Sequence, residues 1–239
     1  MDILIGHGVS EIYHYAPIHY LPFIARAGAL LSKPALTASG YPRTHFRSTS
    51  KSQDDQRGFG RFVHLTIEKM PRILQAKLSS GFPHFEIVID TNTATFENIA
   101  FCRYNIAKCR YLLRPGSRAL PVGPATGRYY PGLQIPIAKT RKDRDTLLVH
   151  NLGKNMIEVL VPFRADLPES TRLTVFRSTD RQIVEATLAT LGVPWEVQLA
   201  LPEHHYFADA TYERKCNAFI NRALNDLEWR GDGLEFDNV

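Results

Sequence analysis

Two ionisable side chains stand in stretches that are otherwise apolar, and both are of types that can act on a ligand. His14 lies in the apolar and aromatic run "EIYHYAP", and Glu158 lies within "NMIEVLVP". Burying a carboxylate in an apolar strand costs desolvation energy unless the group is paired, exposed or used in function. Each residue also has an ordinary structural interpretation, His14 as a satisfied core histidine of an N-terminal strand and Glu158 as an edge-strand residue facing water.

Familiar small-molecule motifs are missing from the sequence. It contains no GxGxxG opening a helix, no GxxxxGK[ST], no HExxH and no GxSxG, which argues against a Rossmann or P-loop nucleotide site. Its three cysteines, Cys102, Cys109 and Cys216, have no CxxC spacing. We therefore expect neither a disulfide framework nor a metal site.

Positive charge is concentrated in one segment, residues 103–144, which we call the basic segment. The chain has a net charge of +5, whereas this segment alone holds ten Lys or Arg and one acid. Cations neutralise phosphates and tyrosine rings stack on bases, so the segment is typical of a nucleic-acid contact surface. The alternative is an ordinary solvated loop. The candidate contacts are Arg110, Arg114, Arg118, Arg128, Tyr129 and Tyr130.

The elements that must position these residues are strands and helices in irregular order. Strand-like runs occur at 62–67, 85–90, 146–151, 157–162, 172–176 and 197–201. Helical spacing is clearest from Asp209, the candidate N-cap, to about residue 229. A second helix is predicted from about Asp180, with Thr179 or Asp180 as its cap, to Leu191, where Gly192 ends it. A third helix is predicted to begin near Pro71. The order predicts an α+β fold, and the length of 239 residues predicts one domain, 1–239.

The composition places the chain among globular proteins. It is 44% hydrophobic, and it has no stretch near the roughly 20 apolar residues that a membrane span needs. The opening "MDILIGHG" lacks the basic region of a signal peptide. We expect a soluble cytoplasmic protein without a membrane partner.

Two stretches together resemble the DarT-type ADP-ribosyltransferases, toxins that modify bases in single-stranded DNA and are paired with a macrodomain antitoxin. "IYHYAPIHYLPFIARAGALLS" resembles the family's NAD-binding segment, a histidine, one residue, a threonine, then an asparagine-leucine pair starting a helix that ends in glycine-leucine. "IEVLVPFRADLPESTRLTVF" resembles the late strand that begins with the catalytic glutamate. The two stretches occur in the family's order and at about its separation.

Carried over by residue, the resemblance implies roles for several positions. It makes Glu158 the catalytic carboxylate and His14 an NAD contact, together with Tyr15 and Leu21. Two positions depart from the pattern, because Ala16 replaces the threonine and Tyr20 the asparagine. The family's arginine, which orients the cofactor phosphates and assists the chemistry, has five candidates here. They are Arg43, Arg47, Lys51, Arg57 and Arg61, of which spacing favours Arg47, with Lys51 as a further NAD contact.

The resemblance also implies a fold and an activity. The fold would be an ADP-ribosyltransferase-like single domain with a split β-sheet core and flanking helices. The activity would be transfer of ADP-ribose from NAD, without a metal, to nucleic acid, with single-stranded DNA as the expected acceptor. The alternatives are transfer to RNA or protein, and a catalytically silent nucleic-acid-binding protein of the same fold. Ala16 and Tyr20 favour the silent alternative, whereas His14 and Glu158 argue against it.

Overall fold

The computed structural model describes most of the chain. The described residues are 1–39, 59–69, 72–79, 81–103, 137–138, 140–153, 157–201 and 210–225. The helices are α1 (Asp2–Gly6), α2 (Leu21–Ala27), α3 (Lys33–Ala38), α4 (Arg72–Ser79), α5 (Arg141–Asn151), α6 (Ser178–Leu191) and α7 (Ala210–Asn225). The strands are β1 (Glu11–Pro17), β2 (Ala29–Leu31), β3 (Phe62–Thr66), β4 (His84–Asp90), β5 (Ala100–Arg103), β6 (Ile137–Ala138), β7 (Ile157–Pro162), β8 (Arg164–Asp166), β9 (Arg172–Val175) and β10 (Glu196–Leu199).

An eight-stranded sheet forms the centre of the fold. Its strand order is β10-β9-β4-β1-β3-β7-β5-β6, and a separate two-stranded sheet pairs β2 with β8. Neighbours in the large sheet run antiparallel, except that β9 and β10 are parallel and joined through α6. A parallel pair needs such a crossover connection. The predicted α+β class is confirmed, with helices flanking a large central sheet.

Apolar side chains from the sheet and from the flanking helices form the main core. Helix α2 contributes Leu21 and Ala25, α5 contributes Leu147 and Leu148, and α6 contributes Val184, all in one cluster with the strands. A smaller cluster joins Leu74 and Leu78 of α4 to Phe176, with Tyr15 packed against it. The sheet is therefore covered by helices that come from both halves of the chain.

The predicted strands at 62–67, 85–90, 157–162, 172–176 and 197–201 each overlap an observed strand. The prediction of a strand at 146–151 is wrong, because these residues end helix α5. Thr140 caps that helix by accepting a hydrogen bond from the Asp143 backbone N–H at 3.1 Å. Helix α6 also begins earlier than predicted, because its N-cap is Arg177. The Asp180 carboxylate instead accepts a hydrogen bond from the Arg177 guanidinium at 2.9 Å. Within the described residues, no helix combines the length and apolar character that crossing a membrane requires.

Candidate active site

The large sheet parts between its two central strands. β1 is paired with β4 along its whole length, from Glu11 opposite Asp90 to Pro17 opposite His84, and β3 is likewise paired with β7. β1 and β3 instead meet at one position, Tyr13 opposite Thr66. The sheet thus divides into a β10-β9-β4-β1 half and a β3-β7-β5-β6 half.

A cavity of about 270 Å³ lies where β1 and β3 part. Residues 14–17 of β1 and 62–64 of β3 line it, and α2, β2 and the start of α3 complete its wall. Most of the lining is apolar or aromatic. The residues of the lining that have polar side chains are few, namely His14, Tyr15, Tyr20, Ser32, Lys33 and His64. A mostly apolar cavity with a few polar groups is typical of a small-molecule site.

His14 is held in one orientation at the cavity wall. Its Nδ1 lies 2.9 Å from the backbone carbonyl oxygen of His64, to which it donates across the gap between the strands. Burial lowers the pKa of His14 to about 4, so the ring is neutral near pH 7. With Nδ1 protonated, Nε2 is the acceptor of the neutral ring. His14 is therefore suited to accept a hydrogen bond from a ligand.

Glu158 lies in the interior of the sheet. It is only 4% exposed, and its strand β7 runs between β3 and β5. The interpretation of Glu158 as an edge-strand residue facing water is therefore wrong. Thr66 and Cys102 are its neighbours on the adjacent strands. Burial and then the negative charge of Glu158 raise the pKa of Tyr15.

His64 connects the two predicted residues. Directly opposed residues share a face of an antiparallel pair, and so do residues two apart in one strand. The registers Tyr13–Thr66 and Thr66–Glu158 consequently place Tyr15, His64 and Glu158 on one face and His14 on the other. The Nδ1 of His64 lies 3.6 Å from a Glu158 carboxylate oxygen, while its backbone carbonyl holds His14. The sequence predictions did not include His64.

Comparison with known proteins gives structural similarity without a sequence match. The sequence matches no family model and no curated protein. The structure is similar to Thermus sp. 2.9 DarT in complex with ADP-ribosylated ssDNA, at a TM-score of 0.50 and 12% identity, over 84% of this chain and 97% of that one. It is also similar to the same protein in complex with NAD+, at a TM-score of 0.45 and 13% identity, over 82% of this chain and 98% of that one. For the complex with carba-NAD+, the TM-score is 0.45 and the identity 12%, over 83% of this chain and 98% of that one. The chain has a DarT-like fold.

The structure brings part of the predicted site together. His14, Tyr15, Ala16 and Tyr20 all line the cavity, and the Tyr20 ring stacks on His19 with centroids 4.9 Å apart. Leu21 instead lies fully buried in the main core and is not among the described lining residues, so its contact with NAD stays a prediction. Gly28 ends α2 in the left-handed conformation, with φ at 55°, as the glycine after the predicted helix requires.

Other predicted residues lie outside the described part of the chain. They are Arg43, Arg47, Lys51 and Arg57 near the cavity's strands in sequence, and Arg110, Arg114, Arg118, Arg128, Tyr129 and Tyr130 of the basic segment. Of the five candidates for the family's arginine, Arg61 is described, and its guanidinium carbon lies 5.1 Å from the centre of the Phe62 ring. In the described ranges, no group of His, Cys, Asp and Glu side chains is arranged to hold a metal ion.

Proposed function

We propose that the protein is an ADP-ribosyltransferase that uses NAD as its donor and modifies a nucleic acid, with Glu158 as the catalytic carboxylate. One observation carries the proposal: His64 lines the cavity between the halves of the sheet, its backbone carbonyl holds His14, and its imidazole lies 3.6 Å from the Glu158 carboxylate. The DarT-like fold supports it, because the protein of that fold is described in complex with ADP-ribosylated ssDNA.

The cavity suits one part of an NAD molecule. Ligand cavities typically measure about 300 to 1,000 Å³, so a cavity of about 270 Å³ would enclose a ring and its sugar while the remainder extends outside. A neutral His14 would accept a hydrogen bond from a ribose hydroxyl or from the carboxamide, and Tyr15 and Tyr20 would pack against the rings. In the described lining, Lys33 supplies a positive charge for a phosphate. Arg47 and Lys51 are proposed as the other phosphate contacts.

The proposed reaction exchanges one bond at the ribose carbon for another. The bond between the nicotinamide nitrogen and that carbon breaks, its electron pair leaves with neutral nicotinamide, and the sugar becomes cationic in the transition state. Glu158 would stabilise this charge electrostatically, which is worth most in a site shielded from water. A nitrogen or oxygen of the acceptor then forms the new bond, and Glu158 takes the proton that the acceptor loses.

The proposed acceptor is a base of single-stranded DNA. The charge and tyrosines of the basic segment support a nucleic-acid acceptor, since cations track phosphates and aromatic rings stack on bases. Residues 110–130 would supply the contacts through Arg110, Arg114, Arg118, Arg128, Tyr129 and Tyr130. We include in the proposal the role of a toxin restrained by a macrodomain antitoxin, carried by one domain spanning residues 1–239.

Labelled NAD tests the activity and the acceptor together. The purified protein is incubated with NAD labelled in its adenylate and with one acceptor in each reaction. The acceptors are single-stranded DNA, RNA and cell lysate. Glu158→Gln should lower transfer about a hundredfold, a loss of about 3 kcal/mol in transition-state stabilisation, because the amide keeps the shape and loses the charge. NAD binding, measured by calorimetry, should change little.

Glu169→Gln is the matched control, since Glu169 is an exposed glutamate outside the site. Label on RNA or lysate protein instead of DNA would change the acceptor and keep the enzyme class. Wild-type protein that transfers no label to any acceptor, yet binds single-stranded nucleic acid, would support the silent binding protein.

A further inference from the structure

Phe163 combines an unfavourable backbone conformation with an exposed ring. Its φ is +59°, in the left-handed region that bulky residues rarely adopt, and its side chain is 54% exposed. The residue forms the corner between β7 of the large sheet and β8 of the small one. A glycine would make this corner without strain. An aromatic ring that gains little burial in return points to a role outside folding.

Backbone hydrogen bonds hold the corner on both sides. The Phe163 N–H donates to the carbonyl oxygen of Arg61 at 2.8 Å, and its carbonyl oxygen accepts from the Ser32 N–H at 2.8 Å. Ser32 lines the cavity, and Arg61 directly precedes Phe62, which lines it as well. The Phe163 backbone is therefore fixed next to the wall of the cavity, and its exposed ring starts from that position.

Positively charged residues adjoin Phe163 along the backbone. Arg61, whose carbonyl oxygen accepts the Phe163 N–H, is exposed, Arg164 follows Phe163 in the chain, and Lys33 follows Ser32. The Arg164 guanidinium pairs with Asp166 and donates to the Ala27 carbonyl oxygen at 2.8 Å. The Ser32 hydroxyl is buried without a hydrogen-bond partner among the described residues. An exposed aromatic face among cations is the combination that binds a base together with its phosphate.

We propose that Phe163 is a stacking platform for a nucleobase at the rim of the cavity, with Arg61, Arg164 and Lys33 placed for the attached phosphates. The inference rests on the proposed function and adds a binding position to it. Phe163 lies five residues beyond Glu158, about 17 Å along a strand, so the stacked base is not at the reacting sugar carbon. Two sources have this chemistry, the adenine of NAD and a base flanking the acceptor in the nucleic acid.

Affinities of three probes distinguish the sources. Calorimetry with NAD and with nicotinamide mononucleotide, which lacks the adenylate, measures the adenine contribution. Fluorescence anisotropy with a labelled single-stranded oligonucleotide measures the other. The variants are Phe163→Gly, which keeps the left-handed conformation free of strain, and Phe163→Tyr, which keeps a stacking ring. Val149→Ala is the control, because Val149 is a 58% exposed apolar residue on α5.

Loss of one stacked base should weaken binding about 5- to 100-fold. If Phe163→Gly loses that much affinity for NAD but none for nicotinamide mononucleotide, the base stacked on Phe163 is the adenine of NAD. If it loses that much affinity for the oligonucleotide alone, the stacked base belongs to the acceptor strand. Phe163→Tyr should bind as wild type in either case. Unchanged affinity of Phe163→Gly for both ligands overturns the inference. Wild-type protein that fails to bind NAD counts against the proposed donor, while the oligonucleotide titration still decides the role of Phe163.

Discussion

His64 is the residue through which the two halves of the candidate site are joined. Its main-chain carbonyl fixes the ring of His14 and its imidazole approaches Glu158, so one residue spans both faces of the sheet. The 3.6 Å separation is longer than a hydrogen bond, and catalytic contacts are often long before a ligand binds. In the proposed reaction, His64 is a positioning residue that orients the carboxylate.

Replacing the imidazole should affect the reaction and spare donor binding. In His64→Gln the backbone carbonyl that holds His14 remains, so the KM for NAD should stay near the wild-type value while kcat falls about tenfold. The pH dependence of kcat should also lose any limb that comes from the imidazole. Steady-state transfer rates from pH 5.5 to 8.5 measure both effects.

A double variant separates positioning from a general structural role. If His64 acts through Glu158, adding His64→Gln to Glu158→Gln should lower the rate no further, because residues that act as a unit are not additive. If the rate losses of the two single substitutions multiplied in the double variant, His64 would not act through Glu158. An unchanged kcat and pH profile in His64→Gln would also refute its positioning role.

At this scale the sequence analysis selected Glu158 and His14 as candidates because each is a polar residue in an apolar run. His64 stands in a similar run, "FVHLTI", yet its importance comes from the register that sets β3 between β1 and β7. Pairing between strands about 50 and 90 residues apart is not encoded in local patterns. The burial of Glu158 depends in the same way on β5, a strand that the sequence analysis did not predict.

At the scale of elements, local signals worked where the hydrophobic pattern and the end signals agreed. Helix α2 ends at Gly28, where the resemblance implies the glycine that ends a helix, and most observed strands overlap their apolar runs. The run "TLLVHN" misled because its β-branched and apolar residues are typical of a strand. Leu147 and Leu148 are instead buried in a helix that begins at Arg141, directly after the Thr140 cap. A cap preceding an apolar run carries more information than the run alone.

The end of α2 offers a test of one such signal. Gly28 has φ of 55°, and a Cβ built there meets nothing within 4 Å, so Gly28→Ala changes the backbone preference without a clash. We expect the free energy of unfolding to fall by about 1 kcal/mol. Urea denaturation followed by circular dichroism measures the change.

Gly6 is the matched control. A Cβ at Gly6 also meets nothing within 4 Å, and this glycine ends α1 without a positive φ. Gly6→Ala should therefore leave stability unchanged or slightly raised, because alanine favours helices over glycine. Equal destabilisation by both substitutions would contradict the role of the left-handed conformation at Gly28.

At the scale of the whole molecule, three histidines, two of them buried and one half-buried, connect the central sheet to the C-terminal helix. His14 lies on β1, His84 pairs with Pro17 at the end of the same strand, and His19 follows that strand. His19 packs edge-on against Phe219 of α7 with ring centroids 5.4 Å apart. Burial is the largest cause of a lowered pKa in each, to about 4 for His14 and about 3 for His19 and His84. The folded state therefore keeps all three rings neutral.

Mild acid should consequently destabilise the protein. An unfolded histidine titrates near 6.5, so above that pH neither state binds a proton and stability is complete. Below it the unfolded chain gains protons that the folded rings, with pKa values of about 3 to 4, do not take up. Each of these histidines should then cost about 1.4 kcal/mol of stability between pH 7.5 and pH 5.5, a range that lies above the titration of most carboxylates.

Urea denaturation at several pH values within this range measures how stability depends on pH, in wild type and in His84→Gln. The variant should lose about one third less stability than wild type across the range. His150→Gln, which replaces an exposed histidine, is the control for the substitution itself. A wild-type stability that stays constant down to pH 5.5 would mean that the folded protein admits protons at these buried rings.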